Sequence, residues 1–187
     1  MRIHNSSCSS SRVWCELERS LSSLLGRPVR LWFPTRWSQR VLGCFRQADS
    51  VFRESLRYSQ EEILDRLHND DLVLMFVMAG RQVEGVLLGY SFEASERRVF
   101  YLDTIAVRRR GLGLGTRLLC SLIEWSMMSG FESLLLDTED ADENGFRLAD
   151  FYGRFGFTRV SEDEHGDITM ELDLRSKGLP PRCRGDG

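Results

Sequence analysis

The feature that most constrains this chain is the passage from Val99 to Met127, where an apolar run, Val99 to Val107, leads through Arg110-Gly111-Leu112-Gly113-Leu114-Gly115 into a segment of helical period. In that segment Leu118, Leu119, Leu122, Ile123 and Met127 share one face of a helix that opens near Thr116, and Gly130 stands where a C-terminal cap belongs. Glycines let backbone N–H groups come close to a pyrophosphate, and the positive end of a helix dipole favours its charge. The loop is therefore an anion cradle in mechanism. Two nucleotide-binding patterns are excluded: no GxGxxG is present, and the lysine of GxxxxGK[ST] is missing.

The elements on either side define the fold class. Trp14, Leu17, Leu21 and Leu24 recur at helical spacing and stop at Gly26 and Pro28, after a serine-rich start from Met1 to Arg12 that reads as disordered and not as a signal peptide. Val29 to Phe33 reads as a strand. Trp37, Val41, Cys44, Phe45 and Ala48 return to helical period, and Ser59 with Glu62 forms a capping-box pattern ahead of Ile63, Leu64 and Leu67. Leu72 to Met78, Val83 to Glu93 and Val99 to Val107 form an antiparallel meander. After the central helix come a strand at Ser133 to Asp137, the acidic stretch Glu139 to Glu143, a helix at roughly Gly145 to Phe155, and strands at Phe157 to Val160 and Asp167 to Leu174. The sum is one mixed α/β domain over 29–174, preceded by an extension over 1–28 and followed by a disordered tail over 175–187.

Composition removes several function classes. A chain of 187 residues is enough for one domain with a substantial core, and no apolar run approaches the roughly 20 residues of a membrane-spanning helix. The expected compartment is the cytoplasm. A net charge of -3 offers no basic excess for nucleic acid. The five cysteines, Cys8, Cys15, Cys44, Cys120 and Cys183, form no CxxC pair, so reduced thiols are expected, with no disulfide framework and no zinc site. His4, His68 and His165 are scattered, and neither a metal cluster nor a Ser/His/Asp arrangement follows from their spacing.

Two motifs at a fixed separation give the chain a resemblance. Arg110 to Gly115 is similar to the R/Q-x-x-G-x-G/A loop of the GCN5-related N-acetyltransferases (GNAT), and Thr116-Arg117-Leu118-Leu119 resembles that family's helix opening. Phe151-Tyr152-Gly153-Arg154-Phe155-Gly156-Phe157 resembles the family's late helix, which ends in a tyrosine and a Gly-Phe step. Arg108 fits the first loop position in a second register, but Arg110 aligns the helix start. The family often has an asparagine seven positions before the tyrosine; Gly145 occupies that place here, and Asn144 precedes it by one.

The resemblance implies a GNAT-type fold, a mixed and mostly antiparallel sheet flanked by helices, with an extra N-terminal helix. It implies an N-acetyltransferase using acetyl-coenzyme A as cosubstrate, without a metal, in which the acceptor amine attacks the thioester directly in a ternary complex. By that resemblance the coenzyme meets Ile105, Ala106, Val107, Arg110, Gly111, Leu112, Gly113, Leu114, Gly115, Thr116, Asn144 and Tyr152. Tyr152 supplies the acid, or a hydrogen bond, to the leaving sulfur. The backbone N–H of Ile105 or Ala106 polarises the acyl carbonyl.

An alkyl ammonium with a pKa of about 10 must lose a proton before it attacks, so a base is required. Tyr101, Asp103 and Ile105 alternate on one strand face, which makes Asp103 the first candidate; Asp137 and Glu139 are the others. The acidic stretches Glu139 to Glu143 and Glu162 to Asp167 are placed to steer a cationic amine. By analogy with the family, Phe52, Arg53, Glu54, Arg57 and Tyr58 border the acceptor side. Two other readings stand beside the enzyme: a catalytically silent coenzyme A sensor, and an acetyltransferase acting on charged tRNA through arginines between Arg27 and Arg57. Dimers are common in the family, and the N-terminal helix offers a homodimer interface.

Overall fold

The computed structural model describes residues 8–48, 59, 61–62, 64, 72–94, 96–142, 145–175 and 178–184. Seven strands form one sheet in the order β1-β2-β3-β4-β5-β7-β6, namely β1 Arg30–Trp32, β2 Leu72–Ala79, β3 Gln82–Ala94, β4 Arg97–Val107, β5 Ser133–Thr138, β6 Thr158–Glu162 and β7 Ile168–Asp173. All pairings are antiparallel except β4 with β5, the parallel step that the intervening helix makes possible. The helices are α1 Cys8–Leu25, α2 Gln39–Ala48, α3 Leu114–Met128 and α4 Leu148–Gly153. None of the described helices is long and apolar enough to cross a membrane.

Strand β2 is apolar throughout because both its faces are covered. Val73, Met75, Val77 and Ala79 join the core shared with α1 and α3, whereas Leu74, Phe76 and Met78 join a second core under Val41, Cys44, Phe45 and Ala48 of α2. The sequence expectation for α2 holds on those same four buried positions. Ser59 and Glu62 form the expected reciprocal capping box, with Ser59 N donating to Glu62 Oε2 at 2.7 Å and Glu62 N to Ser59 Oγ at 3.2 Å. Residues 63 and 65–67 of that expected helix lie outside the described residues.

At its far end α3 stops in a Schellman arrangement. Gly130, at φ 76°, donates to Met127 O at 3.1 Å, and Phe131 N donates to Ser126 O at 3.0 Å.

Three sequence expectations are corrected. The helix near the N-terminus is neither short nor outside the main fold: it begins at Cys8, inside the stretch read as disordered, and buries Val13, Leu17 and Leu21 in the same core as α3. It is also bonded into the sheet, since Leu31 N donates to Glu18 Oε1 at 2.7 Å and Val29 N to Ser22 Oγ at 2.9 Å. The boundary at 28/29 therefore crosses a continuous core. Secondly, Cys120 and Cys183 are joined as a disulfide, with Cα atoms 5.1 Å apart, whereas Cys15 and Cys44 are free thiols. Thirdly, the tail expected to be disordered folds back on α3. Pro181–Cys183 forms a 3-10 turn, Pro180 is buried, and Leu179 and Cys183 pack against the main core. Sequence separation hid the cysteine pair, because the two residues are 63 positions apart and meet only once the tail returns.

Candidate active site

Strands β4 and β5 part company early. They pair at Val99 with Ser133, Phe100 with Leu134 and Tyr101 with Leu135, after which β4 continues to Val107 alongside β3 while β5 continues alongside β7. Beyond Tyr101 β4 has no register pairing with β5, the kind of strand edge along which an extended, amide-bearing chain can hydrogen-bond.

A bulge sits at the start of that open stretch. Leu88 opposes Thr104 and Gly89 opposes Leu102, so Asp103 is the extra residue of the bulge. Gly89 is required there: a Cβ would come within 2.5 Å of the Phe100 ring and 2.6 Å of Tyr101 O. The bulge also resets the alternation. Before it, Phe100 and Leu102 enter the α1/α3 core; after it, Ile105 and Val107 pack on that core, and Ala106 packs on the α2 core. The expectation that Tyr101, Asp103 and Ile105 share a face is therefore wrong, because one inserted residue shifts the period-two count.

Tyr101 gathers the candidate bases instead. Its hydroxyl donates to Asp137 Oδ2 at 2.8 Å, and its ring lies 5.2 Å from that of Tyr90. Burial first, then the hydrogen bond to Asp137 and the charges of Asp137 and Asp103, push its pKa well above the usual tyrosine range. Asp103 is half-buried and Asp137 exposed, so both carboxylates act on one phenol at the mouth of the splay. Glu139 is half-buried further along the β5–α4 connection.

The loop after β4 is anchored at its root. Arg108 donates from Nε to Val83 O at 2.9 Å and from Nη2 to Gln47 O at 3.0 Å, which ties its side chain to β3 and to the end of α2. Arg109 pairs with Glu84, and Arg110 pairs with Asp142 in the β5–α4 connection. Gly111 and Gly113 take φ of 78° and 83°, a left-handed conformation that favours glycine, and Gly113 is the N-cap of α3. The helix thus opens at Leu114, two residues earlier than the expected Thr116. Leu114 is buried in the main core, whereas Leu112 is 46% exposed.

Gly115 is different, being helical and not left-handed. A Cβ on it would meet nothing within 4 Å, and the same is true at Gly111 and Gly113, so packing within the protein does not account for the glycines. The first intrahelical bond runs from Arg117 N to Gly113 O, which leaves the N–H groups of Leu114, Gly115 and Thr116 without acceptors in the helix. No acidic residue occupies the first turn. An open cradle of amides at a helix N-terminus fits an anion of the size and charge of a pyrophosphate.

Tyr152 lies on α4 with 9% of its surface exposed, between Phe151 and Phe157. Its hydroxyl has no hydrogen-bond partner among the described residues, and burial pushes its pKa up to about 12. Helix α4 itself is shorter than expected, because the segment from Gly145 to Arg147 is spent on a turn held by Asp142, to which Phe146 N donates at 2.9 Å. Asn144 lies outside the described residues, as do Phe52, Arg53, Glu54, Arg57 and Tyr58.

The family model for the acetyltransferase (GNAT) family matches residues 32–157, more than half of the chain. The chain belongs to the GNAT family. Solved structures agree in fold. A GNAT acetyltransferase from Desulfovibrio desulfuricans is 22% identical over 78% of this chain and 99% of its own, with a TM-score of 0.63. The aminoglycoside 6'-N-acetyltransferase of Enterococcus faecium is 15% identical, covering 79% of this chain and 98% of its own at a TM-score of 0.57. The paia N-acetyltransferase of Thermoplasma acidophilum, solved in complex with coenzyme A, is 16% identical over 78% of this chain and 98% of its own at a TM-score of 0.56. No curated protein matches the chain significantly.

Part of the acidic stretch after β5 of this GNAT domain is spent on internal contacts: Asp140 pairs with Arg147 and Arg159, and Asp142 with Arg110. Asp163 staples the β6–β7 turn, accepting from His165 N at 2.8 Å and Asp167 N at 3.0 Å, which holds its carboxyl below the usual range. Glu84 was not singled out by residue patterns along the chain; its signal was an acidic residue inside the apolar run from Val83 to Leu88.

Proposed function

We propose that this GNAT domain transfers an acetyl group from acetyl-coenzyme A to a primary amine by direct attack. The observation that carries the reading is the helical Gly115, required neither by φ nor by packing, beside the unaccepted amides of Leu114, Gly115 and Thr116. Arg110, Gly111, Leu112 and Gly113 complete the cradle, and the open edge of β4 at Ile105, Ala106 and Val107 hydrogen-bonds the pantetheine amides. Asn144 completes the coenzyme contacts from the β5–α4 connection.

In this reaction the amine nitrogen forms a bond to the thioester carbonyl carbon, the C–S bond breaks, and the electron pair leaves on sulfur. The N–H of Ile105 or Ala106 polarises the carbonyl. Asp103, through a water, takes the proton that the amine must lose, with Asp137 beside it. Tyr152 donates a hydrogen bond to the departing sulfur. A full proton transfer from a phenol with pKa about 12 to a thiolate of pKa about 8.5 is uphill by about 5 kcal/mol, so the hydrogen bond is its role and the final proton comes from solvent or the ammonium.

Thermal unfolding with excess acetyl-coenzyme A, with NAD and ATP as controls, tests the reading. Ligand at 100 times its Kd adds about 2.7 kcal/mol, a shift of several degrees for a domain of this size. A shift with acetyl-coenzyme A alone leads to a panel of amines read by thiol release. The same melting curve in all samples rejects the assignment.

A further inference from the structure

We propose that Glu84 is a positioning residue for the acyl-coenzyme A loop, acting through Arg109; this rests on the reading that Arg110 to Gly115 holds the pyrophosphate. Glu84 lies near the start of β3 with 1% of its side chain exposed, within the buried stretch from Val83 to Gly89 whose other residues are apolar or glycine. Such a carboxylate is costly unless paired and hydrogen-bonded. It is paired twice. Arg109 donates from Nε to Glu84 Oε2 at 3.1 Å and from Nη2 to Oε1 at 3.2 Å, a two-pronged contact, while Arg27, from the turn after α1, reaches Oε1 on the other side.

The chain connection gives this pair its consequence. Arg109 is the residue directly before the cradle, and the backbone N–H of Arg108 donates to Glu84 O at 2.8 Å, so both atoms of the β3 backbone and side chain hold the loop root. The fork geometry of a guanidinium on a carboxylate fixes direction as well as distance, which is what aims the following amides. Two guanidiniums against one carboxylate also leave a surplus positive charge beneath the loop.

Positioning and simple electrostatics predict opposite signs for Glu84→Gln. Removing a negative charge near a pyrophosphate tightens binding if charge alone matters, whereas releasing the loop weakens it. Dissociation constants for acetyl-coenzyme A and for S-acetylpantetheine, which lacks the pyrophosphate, are measured on the full chain. The expected result is at least a tenfold weaker Kd for acetyl-coenzyme A in E84Q, with S-acetylpantetheine within twofold of wild type. Unchanged or tighter acetyl-coenzyme A binding overturns the proposal, and so does an equal loss for both ligands, which marks general loosening. Where E84Q does not fold, Arg109→Met is compared with Arg27→Met: the first weakens acetyl-coenzyme A tenfold and the second stays within twofold, and equal effects overturn the proposal. A wild-type chain that binds neither ligand rejects the cofactor reading itself, and that result is distinct from every comparison between variants.

Discussion

The Tyr101 hydroxyl donates to Asp137 Oδ2 at 2.8 Å, tying β4 to β5 where their register pairing ends. The two carboxylates that act on this phenol, Asp103 and Asp137, are the candidate bases. With an amine found by the thiol-release panel, Asp103→Asn is expected to lower kcat by about 100- to 10,000-fold and leave the Kd for acetyl-coenzyme A unchanged. Tyr101→Phe is expected to cost about 1 kcal/mol of stability, read by urea titration. A normal kcat in Asp103→Asn with a hundredfold loss in Asp137→Asn transfers the role to Asp137.

Gly115→Ala separates folding from binding. The position is helical with free space around its Cβ, so alanine is expected to raise stability by about 0.5–1 kcal/mol while weakening acetyl-coenzyme A binding. Gly113→Ala, at φ 83°, is expected instead to lower stability by about 1–2 kcal/mol. Calorimetric titration alongside chemical denaturation reads both quantities. A Gly115→Ala protein that binds as tightly as wild type removes the cradle from the site.

Tyr152 links the mechanism to alkaline pH. Its folded pKa of about 12 lies above the ordinary value of 10, so between those pH values the folded chain holds a proton that the unfolded chain has lost. Its contribution is fully present below pH 10 and is lost as pH rises through 12, by roughly 3 kcal/mol in all. Tyr101, shifted the same way, adds to the slope. Denaturation at pH 9 and 11, with thiols blocked, is expected to show a smaller loss in Tyr152→Phe than in wild type. The same variant is expected to lose about 10- to 100-fold in kcat with little change in acetyl-coenzyme A binding, the worth of one hydrogen bond to a charged sulfur. An undiminished kcat excludes Tyr152 from the reaction.

The Cys120–Cys183 disulfide closes a loop spanning 63 positions and holds the tail on α3. Reduction, or Cys183→Ser, is expected to cost about 2–4 kcal/mol, a fall in Tm of about 5–15 °C. Cys183→Ser is expected to be indifferent to dithiothreitol. A wild-type Tm equally indifferent shows that the bond contributes nothing in solution.

Much of the fold was legible because its signals are local. The period of α2, the capping box of Ser59 and Glu62, and the glycines around Gly113 each follow from residues within one or two turns of each other. The candidate site was legible where a motif is contiguous, as in the loop and at Tyr152. Ile105 marks the limit: simple alternation puts it on the face of Tyr101, but the β4 bulge opposite Leu88 and Gly89 turns it onto the α1/α3 core. Asp140 and Asp142 looked like free acids because their arginine partners lie elsewhere in the chain.

The sequence by itself determined the order of elements, the buried face of α2 and the turn-forming glycines of the loop, since periodicity and backbone freedom act over a few residues. Only the tertiary structure decided that α1 belongs to the core, that Cys120 meets Cys183, and that Glu84 of β3 grips the residue before the cradle. Each of these joins positions tens of residues apart. Their proximity comes from burying shared apolar surface and pairing buried charge, conditions that exist only after the chain has folded.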